Sequence, residues 1–443
     1  MSEPNFANRT LFHADNLPVM RGIDSECIDL IATDPPFNKG KDFHATPDSL
    51  AAGAKFQDRW RWDDDVEGDW IDQLQDDWPN VWQVVSAARS SWGDDLGAFL
   101  CFMAVRLVEM HRILKPTGSI YLHCDPTASH YLKQLLDAIF GRKNFRNEIV
   151  WRIGWVSGFK TQKRGWIRNH DILLYYVKTQ AATKRFNKEY LPYPEGYVRR
   201  DGKKPTGKGI PIEDTWNCHS GDVLDSIMIK SFSKEKTGYP TQKNLDLYER
   251  IIKASSNPGE VVLDPFCGCA TTPVAAERLG RQWGGVDIWD EAYDQVLQRL
   301  QDEGLLAEDA IRHDNRMFTF GDVTYTQEPP ERTDDGETAA PFLQVTERYA
   351  EPEGPKMTRA DMFDHLIKQH GRKCQGCDRV FDDPRYLELD HNTPRADGGW
   401  NHISNRVLLC GPCNRLKAHR YTLSGLREQN RKHGYMAPNR MPI

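Results

Sequence analysis

The chain of 443 residues contains no run of about 18 apolar residues, the length that a membrane-spanning helix requires, and this excludes a transmembrane protein. Its first residues lack the basic and apolar segments of a secretory signal, so we expect a cytoplasmic protein. The 10 cysteines are too few for a disulfide scaffold. No internal repeat of fixed period is present, which argues against a solenoid. The absence of a G-x-G-x-x-G motif weakens any nicotinamide-binding interpretation.

Positive charge is concentrated in two regions, although the formal net charge is −6. Residues 151–243 contain 18 Lys and Arg against nine acidic residues, and residues 356–443 contain 16 against nine. Residues 58–77 carry nine acidic side chains and mask these regions in the total. Basic regions are typical of proteins that bind a polyphosphate, because neutralising phosphates releases counterions. Ordinary solvated faces explain the charge equally well.

Three blocks divide the chain. Residues 1–316 alternate buried strands with helices, and the strands are predicted at 27–33, 119–123, 171–177 and 260–263. An amphipathic helix is predicted over 129–140. This alternation predicts an α/β fold whose parallel-rich sheet binds ligands at the carboxyl ends of its strands. Residues 317–356 are predicted to form an acidic linker, and residues 357–443 carry paired cysteines.

Two motifs follow predicted strands in the first block. Asp34-Pro35-Pro36-Phe37 comes directly after strand 27–33, and its prolines make a rigid turn that presents a carboxylate and an aromatic ring. Taken alone, these four residues fit an ordinary proline turn. The second motif, at residues 261–272, is a strand and a tight small-residue turn that lead into a helix, the geometry that cradles a nucleotide-like cofactor. Asp287 ends the next predicted strand, where an acid can accept hydrogen bonds from both ribose hydroxyls.

Together these motifs resemble those of the β class of amino-directed DNA methyltransferases, which methylate the exocyclic nitrogen of adenine or cytosine. The segments 123–133 and 238–243 also resemble this class, and the resemblance covers roughly residues 9–300. It implies a Rossmann-like sheet with helices on both faces, a double-stranded DNA partner and a target-recognition region at 151–243. Candidate phosphate contacts in that region are Arg199, Arg200, Lys203, Lys204 and Lys208.

The resemblance also implies roles for single residues. Asp34 and the Pro35 carbonyl would accept the two N–H groups of the target amine, next to Pro36, while Phe37 would stack on the flipped base. S-adenosylmethionine would be held by Asp264, Pro265, Phe266, Cys267, Gly268, Thr271, Asp287, Gln242 and Lys243. An Asp in the catalytic motif favours adenine N6 over cytosine N4. Ala270 replaces the usual glycine and should fit if its φ is negative.

The third block contains two C-x-x-C pairs, Cys374/Cys377 and Cys410/Cys413, whose four thiolates predict a closed tetrahedral zinc site. The residues between and after these pairs resemble the HNH endonuclease family, which has a small ββα-metal fold. The resemblance implies that His391 is the general base, that Asn405 braces the His391 segment, and that Asp390 and Asn414 bind Mg²⁺. Asn392 and Ala418 depart from the family pattern. A zinc module that binds DNA without cutting is the alternative.

The two resemblances together predict restriction and modification in one chain: methylation of a site, and cleavage of DNA that lacks the mark. One alternative is a solitary methyltransferase with a non-cleaving zinc module. Another is a nuclease that cuts methylated DNA, or a mobile-element nuclease fused to a methyltransferase. The intact catalytic motifs argue against a non-enzymatic DNA-binding scaffold. The sequence leaves both a monomer and a homodimer open.

Overall fold

The computed structural model describes residues 3–40, 43–44, 55–56, 58–156, 158–219, 221–227, 233–239, 241–305, 319–320, 323–334, 357–393, 402–417 and 421–437. The chain divides into two compact units. The first unit comprises residues 1–66 and 84–333, and the second comprises residues 67–83 and 334–443. Among the described residues, no helix has both the length and the apolar character needed to cross a membrane.

The strands of the first unit are β1 (Thr10–His13), β2 (Ile28–Thr33), β3 (Phe43–His44), β4 (Lys55–Phe56), β5 (Leu114–Cys124), β6 (Phe145–Arg152), β7 (His170–Val177), β8 (Tyr190–Leu191), β9 (Ile210–Pro211), β10 (Thr215–Trp216), β11 (Val261–Asp264), β12 (Gln282–Asp287), β13 (Thr319–Phe320) and β14 (Val323–Thr326). Its helices are α1 (Asn16–Gly22), α2 (Trp62–Asp65), α5 (Asp94–Ile113), α6 (Ser129–Phe140), α7 (Leu245–Ser255), α8 (Thr271–Arg278) and α9 (Ala292–Asp302). Between α2 and α5 lie α3 (Gly68–Asp77), which belongs to the second unit, and α4 (Pro79–Trp92), which spans the boundary.

The first unit is built on a mixed sheet of order β10-β6-β7-β5-β2-β11-β12-β1-β14-β13. The six neighbouring strands β5, β2, β11, β12, β1 and β14 pair in parallel in this sheet order. Strand β7 runs antiparallel to both of its neighbours. All six residues of β2 are buried, which requires cover on both faces of the sheet. The predicted α/β fold with a parallel-rich sheet is therefore confirmed, and all four predicted strands lie in this sheet.

The helix predicted at 129–140 is α6, with the same bounds. Its apolar residues at helical spacing are buried, as the one-faced pattern requires: Leu132, Leu135, Leu136, Ile139 and Phe140. Helix α7 has the same character, and the side chain of its N-cap residue Asn244 accepts a hydrogen bond from the Asp246 amide. Helices α7 and α8 pack against each other; α7 also packs against β2 and β5, and α8 against β11 and β12.

The compact units differ from the blocks assigned from sequence at two places. Residues 319–320 and 323–326, assigned from sequence to an acidic linker, form β13 and β14, and β14 pairs in parallel with β1. Strand pairing satisfies their backbone groups, so the first unit extends to residue 333. Residues 67–83, assigned to the first block, group with the second unit. Residues 335–356 of the predicted linker lie outside the described residues.

The second unit contains a ββα arrangement and two flanking helices. Strands β15 (Leu387–His391) and β16 (Arg406–Cys410) pair antiparallel, with His391 opposite Arg406, and α11 (Gly411–Lys417) follows directly. Helices α10 (Arg359–His370) and α12 (Leu423–Lys432) lie on either side of this element in the chain. Leucines and the four paired cysteines make up much of its buried core. A core this small is typical of modules that a metal stabilises.

Candidate functional site

The two sequence motifs of the first unit lie side by side. Strands β2 and β11 are parallel neighbours, so Asp34 and the turn after Asp264 emerge at the same edge of the sheet. Thr33 Oγ1 donates a hydrogen bond of 2.6 Å to Asp264 Oδ1, which joins the two strand ends directly. This edge is where open α/β sheets bind ligands. The predicted meeting of the two motifs is therefore present in the fold.

The Asp34 carboxylate has one occupied and one available oxygen. Lys243 Nζ donates to Asp34 Oδ2. Asp34 Oδ1 is buried and has no hydrogen-bond partner among the described residues. Lys243 was predicted to bind the cofactor; in the structure its ammonium contacts the predicted catalytic acid, and its cofactor contact remains a prediction. A buried acceptor without a donor is costly, and a substrate N–H group would remove that cost.

The Phe37 ring stacks on His123, with centroids 5.9 Å apart and planes 22° apart. Phe37 is only 5% exposed, so a base could stack on it only by displacing a present neighbour. His123 in turn contacts Asp171, which accepts a hydrogen bond of 2.7 Å from Arg168. Burial acts to raise the pKa of Asp171, but His123, Lys243 and Arg168 outweigh it and hold that pKa below the usual range. Sequence reasoning missed the role of this network, although His123 lies in a segment that carried the resemblance.

Asp264 holds the cofactor turn rather than facing outward. Its Oδ1 accepts from Thr33 and from the Phe266 amide at 3.1 Å, and its Oδ2 accepts from Thr272 Oγ1 at 2.6 Å. Burial raises the pKa of Asp264 to about 7. Both oxygens are thus engaged with the protein itself, so the contribution of Asp264 to a cofactor site is to fix the turn.

Asp287 lies beside the same turn. Its Oδ2 accepts a hydrogen bond of 2.7 Å from the Gly268 amide, and its Oδ1 accepts one of 2.9 Å from the Trp289 amide. Each oxygen keeps a second lone pair, so the pair can still accept from two hydroxyls. Gly268 has φ +48°, and a Cβ there would lie 3.1 Å from the ring of Tyr239. The turn therefore requires glycine at this position for reasons of both conformation and space.

The other predicted cofactor residues divide into two groups. Most belong to the turn itself: the Pro265 carbonyl accepts from Asn16, the Cys267 amide donates to the Val286 carbonyl, Phe266 packs near Phe102, and Thr271 accepts from Arg299. Gln242 lies elsewhere, because it accepts from Thr237 and donates to the Glu235 carbonyl. Gln242 therefore orders the segment that carries Lys243, and its predicted cofactor contact remains a prediction.

Ala270 has φ +66°, so the condition under which alanine was expected to fit, a negative φ, is not met. It is the N-cap of α8 in the left-handed region, where the Cβ of an L-residue crowds the following carbonyl oxygen at a cost of about 1–2 kcal/mol.

We expect Ala270→Gly to raise the unfolding free energy by about 0.5–1 kcal/mol, since the greater flexibility of glycine offsets part of the relief. Thermal unfolding measures this. Ala275→Gly inside α8 is the matched control and should be destabilising by about 1 kcal/mol; stabilisation by both changes, or by neither, would contradict the account.

The basic region exposes both cationic and aromatic side chains. All five candidate phosphate-binding residues are exposed: Arg199, Arg200, Lys203, Lys204 and Lys208. Trp155 and Trp166 are 73% and 98% exposed, and Tyr193 stacks on Tyr197. Exposed rings among cations are suited to contact phosphates and bases together.

The four paired cysteines of the second unit converge on one point. The Sγ atoms of Cys374, Cys377, Cys410 and Cys413 all lie within 4.8 Å of one another and are buried. The Cys410 amide donates to Cys374 Sγ at 3.2 Å, and Asn430 Nδ2 donates to Cys413 Sγ at 3.4 Å. Such donors stabilise thiolates, so this set of sulfur atoms fits a structural zinc ion.

The predicted nuclease residues are only partly brought together. Asn405 braces the segment after His391 as predicted, because its side chain accepts from the Thr393 amide and donates to the Thr393 carbonyl. The predicted Mg²⁺ ligands have protein partners: Lys417 Nζ lies 2.9 Å from Asp390 Oδ2, and Asn414 Nδ2 donates to Glu388. The Mg²⁺ site at these residues therefore remains a prediction. Ala418 lies outside the described residues.

Sequence reasoning missed Asp76 of α3. Its side chain is fully buried in the second unit, where it contacts His391, Arg359 and Arg406. The acidic stretch around it had been interpreted only as a charge that masks the basic regions. No local pattern marks a residue that acts through partners some 300 positions away.

Comparison with known proteins identifies two families in this chain. Residues 28–298 match the DNA methylase family, and residues 374–420 match the HNH endonuclease family. The Type II methyltransferase M.HpaI of Haemophilus parainfluenzae is 25% identical over 300 residues, covering 67% of this chain and 75% of that protein. The DNA adenine methyltransferase YhdJ of Escherichia coli K12 is 27% identical over 292 residues, covering 66% and 82%.

A solved structure is also similar. It is a putative DNA modification methylase from Thermus thermophilus complexed with S-adenosyl-L-methionine, with a TM-score of 0.37 and 19% identity, and the match covers 67% of this chain and 95% of that one. The family match at residues 28–298 spans more than half of the 443 residues. The chain therefore belongs to the DNA methylase family, of the N6/N4 type, and carries an HNH endonuclease domain at residues 374–420.

Proposed function

We propose that the first unit transfers a methyl group from S-adenosylmethionine to the exocyclic amine of a flipped base in double-stranded DNA, with adenine N6 as the acceptor. The observation that carries this proposal is the available Asp34 Oδ1 at the strand edge where the cofactor turn also lies. S-adenosylmethionine supplies an electrophilic methyl group on a sulfonium. The turn fits S-adenosylmethionine, because the two Asp287 oxygens beside it can still accept hydrogen bonds from ribose hydroxyls.

The residues at the carboxyl ends of β2 and β11 explain how a poor nucleophile can react. An aryl amine delocalises its lone pair into the ring. Asp34 Oδ1 and the Pro35 carbonyl would accept its two N–H bonds and favour a tetrahedral nitrogen. Transfer forms an N–C bond, breaks the S–C bond of the donor and releases one amine proton. Lys243 holds the other Asp34 oxygen, so the carboxylate is fixed in orientation before the base arrives.

Two observations support adenine as the target base. The catalytic motif begins with Asp34, a pattern that accompanies adenine more often than cytosine in the resembling family. One relative, YhdJ, is named as a DNA adenine methyltransferase. The exposed cations and tryptophans of residues 151–243 would hold the DNA phosphates and the displaced bases.

Methylation sequencing tests this activity directly. The chain is expressed in a strain without its own DNA methyltransferases, and genomic DNA is sequenced with a method that distinguishes N6-methyladenine from N4-methylcytosine. We expect N6-methyladenine at one short sequence, with none in the empty-vector strain. N4-methylcytosine would overturn the choice of base, and unmodified DNA despite soluble protein would overturn the proposed transfer.

For the second unit, the proposed function is cleavage of DNA that lacks the methyl mark, which would make the chain a restriction–modification enzyme. His391 would take a proton from the attacking water, and the zinc site would hold the strands that carry it. Support comes from the HNH family match and from the contacts of Asn405 with the segment after His391. No role is derived for Mg²⁺, because Asp390 and Asn414 have other partners.

Cleavage is tested with unmethylated and premethylated plasmids incubated with Mg²⁺. We expect only the unmethylated plasmid to be cut, and His391→Ala to lower the rate by about 10²–10⁴-fold, because it removes the general base. Methyl transfer by His391→Ala should remain at the wild-type level. Undiminished cutting by His391→Ala would contradict the assignment, and cutting of only the premethylated plasmid would indicate a methylation-dependent nuclease.

One observation favours a second candidate, a methyltransferase whose zinc module binds DNA without cutting it. Lys417 is fully buried and its ammonium occupies the Asp390 carboxylate, which is the predicted place of a divalent cation. Retention of DNA binding without cleavage of either plasmid, in both Mg²⁺ and Mn²⁺, would support this candidate.

A further inference from the structure

Helix α3 brings a buried carboxylate to the predicted nuclease base. Asp76 Oδ1 accepts a hydrogen bond of 2.7 Å from Arg359, and Asp76 Oδ2 accepts one of 2.8 Å from Arg406. His391 Nδ1 lies 3.2 Å from the same Oδ2. The side chains of Asp76, Arg406 and His391 are all at most 2% exposed. The contact is therefore shielded from water, and the low dielectric of the interior strengthens the electrostatic attraction between the two groups.

The local charges explain why this carboxylate stays ionised. Burial alone would raise the pKa of Asp76, but Arg359, His391 and Arg406 more than offset it, and that pKa lies below its usual value. Arg359 also donates to the Leu389 carbonyl on β15, so the guanidinium that holds Asp76 is itself fixed to the strand that carries His391. Asp76 thus has a defined position relative to the imidazole.

We propose that Asp76 is a positioning residue of the nuclease site: it accepts the Nδ1–H of His391, which fixes the imidazole plane and leaves Nε2 as the nitrogen that acts as base. This inference deepens the proposed nuclease function and rests on it for the role of His391. It also implies that the second unit is incomplete without residues 67–83, which lie within the stretch 28–298 that matches the methylase family.

The distances around Nδ1 favour this tautomer. Arg406 lies 2.8 Å from Asp76 Oδ2 and 3.3 Å from His391 Nδ1, so its shorter contact is with the carboxylate. If Nδ1 carried no hydrogen, its lone pair would face a carboxylate oxygen at 3.2 Å, and two acceptors would oppose each other. With a hydrogen on Nδ1, Asp76 Oδ2 accepts from both neighbours and no two acceptors face each other.

A metal-binding role for Asp76 is less favourable. Ligand atoms of Asp76, Asp390 and His391 lie within 4.8 Å of one another, a spacing that could hold an ion. However, both Asp76 oxygens are bound by guanidinium groups, and these cations would repel a divalent ion at the same atoms. A third carboxylate ligand would require both arginines to move, whereas the positioning role requires no rearrangement.

The test begins with the tautomer of His391 in the full-length protein labelled with ¹⁵N-histidine, with the His391 resonances assigned by their loss in His391→Gln. We expect a protonated Nδ1 and an unprotonated Nε2 in the wild type. In Asp76→Ala the acceptor is gone and Arg406, a donor, remains beside Nδ1, so the hydrogen should move to Nε2. A wild-type His391 with its hydrogen on Nε2 overturns the proposal, even if Asp76→Ala fails to fold.

Cleavage kinetics with a matched control give the second readout. Asp364→Ala is the matched control, because it removes an exposed carboxylate from α10 of the same unit. We expect Asp76→Ala to lower kcat by about 10²-fold or more with KM nearly unchanged, Asp76→Glu to restore part of kcat, and Asp364→Ala to keep kcat within about threefold. Equal losses of kcat in Asp76→Ala and Asp364→Ala with zinc still bound would mean a purely structural effect, and a shifted Mg²⁺ dependence with an unchanged tautomer would mean a metal ligand. Both results would overturn the proposal. If the wild type does not cut DNA, the proposed nuclease function fails, but the tautomer measurement still decides the role of Asp76.

Discussion

Asp34→Ala is expected to lower the rate of methyl transfer by at least about 10²–10³-fold, because it removes the acceptor that stabilises the developing charge on the amine. Binding of S-adenosylmethionine should change little, since the turn at Gly268 and the Asp287 carboxylate are held by their own backbone contacts. The loss should therefore appear in kcat with an almost unchanged dissociation constant for the methyl donor. Transfer of labelled methyl groups and calorimetric titration measure the two quantities.

The matched control for this change is Asp302→Ala, which removes an exposed carboxylate at the end of α9. It should leave both transfer and binding unaltered. An Asp34→Ala protein that methylates DNA at the wild-type rate would contradict the catalytic assignment. Loss of donor binding together with activity would instead show that Asp34 belongs to the cofactor site.

Cys374→Ser is expected to abolish zinc binding and unfold the second unit, because the metal supplies much of the stability of a module with so small a core. Zinc binding by such cysteine sets contributes on the order of 10 kcal/mol to folding, which exceeds the stability of most small domains. DNA cleavage should be lost, while methyl transfer by the first unit should persist because its large sheet has a separate core. Metal analysis and thermal unfolding measure the effect.

Cys218→Ser is the control for this change, since Cys218 is exposed and lies in the first unit. It should bind one zinc per chain and unfold as the wild type does. Unaltered unfolding of the Cys374→Ser protein, or resistance of the second unit to a chelator, would refute a structural zinc site at the four cysteines.

Local patterns predicted those parts of the fold that are decided locally. Helix α6 has its predicted bounds because its apolar face repeats at helical spacing over 12 residues. Strands β2 and β11 were predicted because fully buried strands are continuously apolar. Strand β14 was missed because it is short and only half-buried, and its pairing with β1 joins residues more than 300 positions apart. Such a short strand has too little apolar character to distinguish it from a linker.

The candidate sites likewise combine features that local patterns predict with features that depend on contacts between distant segments. The strand-edge position of Asp34 and the convergence of the four cysteines followed from motif spacing. The contacts of Lys243 with Asp34 and of Asp76 with His391 could not be predicted, because each joins side chains from distant segments without a local pattern. The sign of φ at Ala270 was left open by the sequence, and the tight turn before α8 gives it a positive value.

The central claim is that the first unit methylates an exocyclic amine with the two motifs at the carboxyl ends of β2 and β11. Identification of the methylated nucleoside tests this claim most directly. Wild-type protein is incubated with DNA and S-adenosylmethionine that carries a labelled methyl group, and the DNA is then digested to nucleosides and separated. We predict that the label appears in N6-methyldeoxyadenosine. Label in 5-methylcytosine, where the methyl group is on a ring carbon, or unlabelled DNA from a correctly folded protein would contradict the account.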